Sequence, residues 1–108
     1  MLSDNKSMIL HIFNYGLEQK LLFDQLIQII IANPSDNSLL LMQNGIYCGL
    51  ELLNYNLSKN INIYLIANDV VARGLLDKFQ NISYCKLIDY HQLVDLVMAH
   101  PKNINWKI

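Results

Sequence analysis

The side chains best suited to chemistry in this 108-residue sequence are two cysteines and three histidines. A thiol reacts as its thiolate, which requires a pKa lowered by a helix N-terminus or a nearby cation. Cys48 follows Asn44-Gly45 at the start of a short predicted helix, but no cation is close to it in sequence. Cys85 precedes Lys86 in a predicted strand, so the two side chains point to opposite faces. This pattern favours two free, reduced thiols that pack as small hydrophobes, and it leaves a carrier thiol at either position open.

The three histidines, His11, His91 and His100, have no carboxylate or thiol at the spacing of metal ligands. His100 lies at the predicted carboxyl end of the last helix, where the negative end of the helix dipole favours a histidine. His11 lies in the first predicted strand, which favours a hydrogen-bonded core or interface histidine over a catalytic one. The sequence therefore predicts neither a metal site nor a hydrolase.

Loops that could cradle a phosphate are also missing from the sequence pattern. Asn44-Gly45 contains a single glycine, and Arg73-Gly74 falls within a predicted helix. Dinucleotide and P-loop sites need several glycines at fixed spacing, so that the backbone can approach the phosphates. A free-standing nucleotide-binding module of the flavodoxin type is therefore the weaker alternative.

Apolar strand-like runs alternate with helical patterns along the chain. Asn68 or Asp69 is expected to cap the third helix, and Asp89 the last. The connections are short, which predicts an α/β fold in three layers: a mostly parallel sheet of four to five strands with helices on both faces. Strands are predicted at 8–13, 38–43, 61–67 and 83–88, with a possible fifth at 103–108, and helices at 17–32, 46–55, 68–79 and 90–100.

The composition points to a partner surface. Hydrophobic residues make up 53% of the chain and the mean hydropathy is +0.21. A domain of this size leaves much of its chain at the surface, so part of the apolar excess should be exposed in the isolated chain. A compositional bias towards Ile, Asn and Leu is the alternative explanation.

Charge and hydropathy exclude other classes of protein. The net charge is −1, and no run of Lys or Arg could bind a phosphate backbone directly. The longest apolar stretch, 21–32, is interrupted by polar residues and is too short to span a bilayer. The first residues lack the layout of a signal peptide, so the cytoplasm is the expected location.

Three segments in order resemble the TusB/DsrH family of sulfur-relay proteins. They are residues 39–47, with Gln43-Asn44-Gly45-Ile46 after an apolar strand; residues 63–75, with Ala72-Arg73-Gly74; and residues 88–101, with Asp89-Tyr90 and His100-Pro101, followed by Trp106. The opening segment 9–14 is similar as well. On this match residues 8–108 form one domain of the DsrE/DsrF/DsrH-like fold, and residues 1–7 are a flexible extension or an upstream start.

The resemblance implies a non-catalytic subunit of a hetero-oligomer with TusC and TusD, expected as a dimer of heterotrimers without a cofactor. Sulfur would pass from TusA through TusD to TusE, and finally to the 2-position of a tRNA wobble uridine, giving 5-methylaminomethyl-2-thiouridine. Matching Arg73-Gly74 to the same motif of TusD places the acceptor cysteine at or near Ile66. Some relatives carry a cysteine in the first helix, where residues 21–29 have none. The alternative is a carrier that holds a persulfide on Cys48 or Cys85.

Four aromatic side chains are candidate interface residues, since aromatic residues are enriched where subunits meet. Packing in the core of the chain itself would explain each of them equally well. They are Tyr15, Tyr47, Tyr55 and Trp106.

Overall fold

The computed structural model describes residues 7–58 and 60–108. Its centre is a five-stranded sheet in the order β4-β3-β2-β1-β5, and every neighbouring pair of strands is parallel. This confirms the predicted three-layer α/β class, with the possible fifth strand present. The strands are β1 (Ile9–Phe13), β2 (Asn37–Leu41), β3 (Asn62–Ile66), β4 (Cys85–Ile88) and β5 (Lys102–Asn105).

The first face of the sheet is covered by the connections between β1 and β4. Each joins adjacent strands in the same direction, and right-handed crossovers therefore place all of them on one side. They contain α1 (Lys20–Ala32) after a 3-10 turn (Leu17–Gln19), α2 (Gly45–Gly49) with a 3-10 turn (Leu50–Asn54), α3 (Ala67–Ala72) and α4 (Leu76–Phe79). Their apolar side chains and the sheet form the first core, which includes Phe13, Phe23, Leu26, Ile27, Ile46, Cys48, Leu65, Val70, Phe79 and Cys85.

The second face is covered by α5 (Tyr90–Ala99). The chain leaves β4 at one edge of the sheet and returns to β5 at the other, so a right-handed crossover must pass over the opposite face. The resulting second core is smaller. Its buried members are Leu10, Leu40, Tyr64, Ile66, Ile88 and Leu96.

Hydrogen bonds at both ends fix the path of α5. At its start the Asp89 carboxylate accepts the backbone N–H of Gln92 at 2.7 Å, while the Gln92 side chain accepts the backbone N–H of Asp89 at 3.0 Å, as predicted for this cap. At its end His100 Nε2 lies 2.7 Å from Ser7 Oγ, which lies 2.6 Å from Ser38 Oγ at the amino end of β2. The helix therefore crosses the sheet diagonally, from the end of β4 to the start of β2.

The third predicted helix differs from the structure in two respects. It is divided into α3 and α4 by Gly74, whose φ of 68° ends α3. The predicted cap at Asn68 or Asp69 is wrong, because α3 begins at Ala67 and the capping position is Ile66, which makes no side-chain hydrogen bond. Asp69 is used elsewhere, as described below.

Two further observations concern the N-terminal residues and the length of the helices. Residues 1–6 of the expected N-terminal extension lie outside the described residues, while Ser7 is buried. Within 7–58 and 60–108, none of the helices combines the length and the apolar character needed to cross a membrane.

Candidate functional site at the carboxyl edge of the sheet

Polar side chains collect at the edge where the strands end. The carboxyl ends of parallel strands meet at one edge of a sheet, which is where α/β proteins usually bind ligands. Asn14 follows β1, Gln43 and Asn44 follow β2, and Asp69 lies in the first turn of α3, after β3. Tyr90, which follows β4, completes the set.

Asp69 is the centre of this cluster. One carboxylate oxygen accepts the backbone N–H of Gln43 at 2.7 Å, and the other accepts the hydroxyl of Tyr90 at 3.4 Å. Gln43 has a φ of 52°, a conformation that non-glycine residues rarely adopt. Asp69 thus holds the turn after β2 in a strained conformation and ties it to the starts of α3 and α5.

Arg73 binds the same turn from the other side. Its guanidinium donates to the Asn44 side chain at 2.9 Å and to the Asp69 carbonyl oxygen at 3.1 Å. It also lies 3.9 Å from the Asp69 carboxylate and 5.8 Å from the centre of the Tyr47 ring. The charges of Asp69 and Arg73 balance, and the cluster holds no nucleophile. Its role is to hold the turn after β2 in place, and we call it the carboxyl-edge clamp. The contact between Arg73 and Asn44 joins residues 29 positions apart, so no local sequence pattern indicates it.

The position that the resemblance assigns to an acceptor cysteine is Ile66, the last residue of β3. Its side chain is fully buried in the second core and offers no reactive group. Next to it, one side of α3 lines an open depression of about 370 Å³ through Ala67, Asn68, Val71 and Ala72. These four residues supply methyl groups and one amide, and none of them can attack or transfer a proton.

Neither cysteine is activated by its surroundings. Cys48 is fully buried in the first core, and its thiol lies 3.6 Å from the Tyr15 carbonyl oxygen. Burial raises the pKa of Cys48 to about 12, and the carboxylates of Glu18 and Glu51 act in the same direction. Burial alone raises the pKa of Cys85 to about 12. Both thiols are therefore protonated at neutral pH and weakly nucleophilic.

His11 is a buried, hydrogen-bonded histidine, as its position in the first strand favoured, and its two partners are remote in sequence. Trp106 donates its indole N–H to His11 Nδ1 at 3.0 Å, and His11 Nε2 lies 2.7 Å from Asn37 Oδ1. An indole nitrogen only donates, so Nδ1 must accept and Nε2 carries the ring proton. Burial lowers the pKa of His11, and the charge of Lys102 on β5 adds to the effect. The imidazole is thus neutral and joins β1, β2 and the C-terminal segment.

The other two histidines take no part in the carboxyl-edge cluster. His91 is exposed on α5. His100 is buried, and its Nδ1 lies 2.8 Å from the Leu96 carbonyl oxygen. Among the described residues, no group of three or more His, Cys, Asp or Glu side chains could hold a metal ion.

The four candidate interface aromatics are half-buried and lie in three places. Tyr15 and Tyr55 flank an aromatic row through Phe13 and Phe23, with Tyr55 donating its hydroxyl to Asp24. Tyr47 lies beneath Arg73, and Trp106 lies against His11. Each has an intramolecular contact, and their role at an interface stays a prediction.

Comparisons with known proteins agree with this architecture. Protein TusB of Buchnera aphidicola subsp. Baizongia pistaciae (strain Bp) is 34% identical over 76 residues, which cover 67% of this chain and 77% of the relative. Protein TusB of Yersinia pestis (strain Pestoides F) is 31% identical over 75 residues, with the same coverage. The crystal structure of the ychN protein from E. coli superposes with a TM-score of 0.64 over 93% of this chain and 99% of that one. At 13% identity this similarity concerns the fold alone.

A family model described as DsrH like protein matches residues 21–103, which begin in the first turn of α1 and end within β5. The matched part contains both sides of the carboxyl-edge clamp and the helix that covers the second face. The chain belongs to the DsrH family.

Proposed function

We propose that this chain is a subunit of the TusBCD sulfur relay that carries no sulfur itself. In this role it assembles with TusC and TusD in the cytoplasm. TusD supplies the acceptor cysteine, TusA delivers the sulfur and TusE receives it. The relay ends in 2-thiolation of the tRNA wobble uridine, as in 5-methylaminomethyl-2-thiouridine.

The observation that carries this proposal is the state of the thiols. A relay cysteine must present a thiolate to a partner protein, whereas Cys48 and Cys85 are buried and each has a pKa raised to about 12. Ile66, at the end of β3, cannot form a persulfide. These features support the role of an accessory subunit. The names of the relatives, Protein TusB, support the same role.

Persulfide transfer tests the proposal directly. The complex of this chain with TusC and TusD is incubated with persulfide-loaded TusA, and mass spectrometry then locates the added sulfur atom on each subunit. We expect the label on the TusD partner. A persulfide on Cys48 or Cys85 would instead support the carrier alternative.

A genetic version uses a variant without cysteines. Cys48→Ser combined with Cys85→Ala is introduced into cells that lack the chain, and the 2-thiouridine content of tRNA is measured. We expect the variant to restore thiolation, provided that a thermal melt shows it to be folded. A folded variant that leaves the tRNA unthiolated would reject the non-catalytic role.

Assembly is tested by native mass spectrometry after co-expression with TusC and TusD. The expected species contains all three chains. If this chain is recovered without either partner, while TusC and TusD associate with each other, the proposed role as a subunit is wrong.

A further inference from the structure

The helix that covers the second face of the sheet is held there by few apolar contacts. Of the ten residues of α5, all of them described, Leu96 alone is fully buried, with Leu93 and Val97 half-buried beside it. On the first face, α1 buries four side chains completely. Elements with few buried apolar contacts open at a lower free energy than the rest of a protein. The second core is also separate from the first, so α5 can leave the sheet without disturbing the first core.

A buried chain of hydrogen bonds holds the carboxyl end of α5. His100 follows the helix, and its Nδ1 lies 2.8 Å from the Leu96 carbonyl oxygen. A carbonyl oxygen only accepts, so Nδ1 carries the proton, and Nε2 of the neutral ring accepts the Ser7 hydroxyl at 2.7 Å. Ser38 Oγ, at the amino end of β2, lies 2.6 Å from Ser7 Oγ. Ser7, Ser38 and His100 are at most 4% exposed, so water does not compete for these hydrogen bonds.

The hydrogen bonds at the amino end of α5 hold the helix less firmly. The Tyr90 hydroxyl lies 3.4 Å from the Asp69 carboxylate, which is long for a hydrogen bond, and the contact is exposed to solvent. The two hydrogen bonds of the Asp89 cap join residues of the helix start to one another and do not attach the helix to the sheet. Within the described part of the chain, the short and buried attachment of α5 is therefore the one between His100 and Ser7.

We propose that α5 is a lid over the second core and that Ser7 is its latch. In the closed state, Ser7 joins the end of α5 to the amino ends of β1 and β2. In the open state, His100 leaves Ser7 and α5 separates from the sheet, while the strands and the first core remain folded. Opening uncovers the second core, including Leu10, Leu40 and Tyr64.

The position of the latch makes the lid depend on the N-terminal segment. Ser7 precedes β1 and belongs to residues 1–7, which the sequence resemblance marks as an extension of the domain. A form of the chain that begins at Met8 has the same lid without its latch. The length of the N-terminal segment therefore sets how often the lid opens. This inference goes beyond the proposed function and does not rest on it, and the experiments below measure no sulfur transfer.

Native-state hydrogen exchange in low concentrations of urea tests the lid without any substitution. We expect the amides of α5 to exchange faster than those of the central strands β2 and β3. Their urea slope should be less than about half of the slope for the two strands, because opening of the lid exposes the smaller core alone. Equal rates and slopes for α5 and the two strands would overturn the lid.

Ser7→Ala tests the latch. Loss of the hydrogen bond leaves a buried acceptor on His100, so the opening equilibrium of α5, and with it the exchange of its amides, should rise on the order of tenfold. Ser35→Ala, which changes an exposed serine in the loop before β2, is the matched control and should alter neither α5 nor the strands. If the Ser7 hydroxyl supports the sheet alone, Ser7→Ala will accelerate exchange in β2 and β3 and leave α5 unchanged. That result would overturn the latch.

A double substitution assigns the effect to the contact between Ser7 and His100. His100→Asn keeps an amide donor near the position of Nδ1 and removes the acceptor Nε2. In this background Ser7→Ala should accelerate the exchange of α5 by less than about twofold, because the contact is already absent. A second tenfold increase would show that Ser7 does not act through His100 and would contradict the latch.

A thiol placed under the lid gives a chemical measure of opening. Leu40→Cys adds a cysteine to the second core, and Cys48 in the first core is the internal control. Ser7→Ala should accelerate the reaction of the added thiol with Ellman's reagent on the order of tenfold and leave Cys48 unreactive. If both thiols react together, the chain opens as a whole and the lid is wrong.

Discussion

Replacing Trp106 with phenylalanine removes a single hydrogen-bond donor from a buried histidine. The indole N–H of Trp106 lies 3.0 Å from His11 Nδ1, and His11 is 2% exposed. Without it, the Nδ1 lone pair has no donor and is largely screened from water. A lost hydrogen bond together with an unsatisfied buried acceptor costs about 2 kcal/mol. We therefore expect Trp106→Phe to lower the free energy of unfolding by about that amount at pH 8.

The destabilisation should shrink as the pH falls. Burial lowers the pKa of His11 in the folded chain below its value in the unfolded chain, about 6.5. The stability gained from the neutral imidazole is thus fully present above that pH and is lost below it, by at most about 1.4 kcal/mol per pH unit. A protonated Nδ1 cannot accept from Trp106. The variant, whose His11 has no such donor to lose, should therefore lose less stability in acid than the wild type.

The assay is urea denaturation followed by circular dichroism, in steps from pH 8 to pH 5. NMR of the imidazole protons measures the pKa of His11 in the same samples, and we expect a higher value in Trp106→Phe than in the wild type. His91→Gln, which changes an exposed imidazole, is the control and should leave both quantities unaltered. A difference in stability between wild type and Trp106→Phe that stays constant across this pH range would refute the reasoning.

Two substitutions and one thiol-labelling experiment test other parts of the structure. Gly45→Ala would place a Cβ 2.3 Å from the backbone carbonyl oxygen of Phe13. We therefore expect the free energy of unfolding to fall by more than about 3 kcal/mol, or the chain to be insoluble. A variant that is well folded in a thermal melt would contradict this close packing. Cys48 and Cys85 should resist Ellman's reagent in the native chain at pH 8 and react fully in urea, because both are buried; fast native reaction of either would be inconsistent with that burial. Asp89→Ala removes the cap of α5 and should lower the free energy of unfolding, measured by urea denaturation, by about 1 kcal/mol. Asp95→Ala, which changes an exposed carboxylate on the same helix, is the control and should alter it by less than about 0.5 kcal/mol. Equal effects of the two substitutions would argue against the cap.

Local patterns predicted the order of the elements well, because each element has its own hydrophobic period. The cap at Asp89 was predictable because both of its hydrogen bonds are made to a residue three positions away. The unreactive state of the two cysteines was predicted because no cation lies near Cys48 in sequence and because Lys86 points to the opposite face from Cys85. Each of these features depends on neighbours along the chain.

The errors concern residues whose partners are remote in sequence. Asp69 has the position of a helix cap in the sequence pattern. Its carboxylate instead accepts the backbone N–H of Gln43, 26 residues away, and so stabilises the strained turn there. In α1 a helical period through Leu26 and Ile30 predicts that Ile29 is buried with them, whereas it is 44% exposed. Apolar residues occur on every side of this helix, so the period alone does not determine which side faces the sheet. The contact of Trp106 with His11 spans 95 residues and depends on β5 pairing with β1, which no local pattern specifies.

The topology of the sheet has a consequence for how the chain folds during synthesis. Strands β1 to β4 are adjacent in the order in which they leave the ribosome, so these pairings and the first core can form as the chain grows. Within residues 7–58 and 60–108, the helix that covers the second face is α5, and the strand that pairs with the free edge of β1 is β5, so both come from the end of the chain. Until they emerge, Leu10, Leu40 and Tyr64 lie on a bare apolar surface beside an unpaired β1 edge. A chain that stalls after β4 should therefore aggregate or require a chaperone, and the last twenty residues decide whether the folded first part remains soluble.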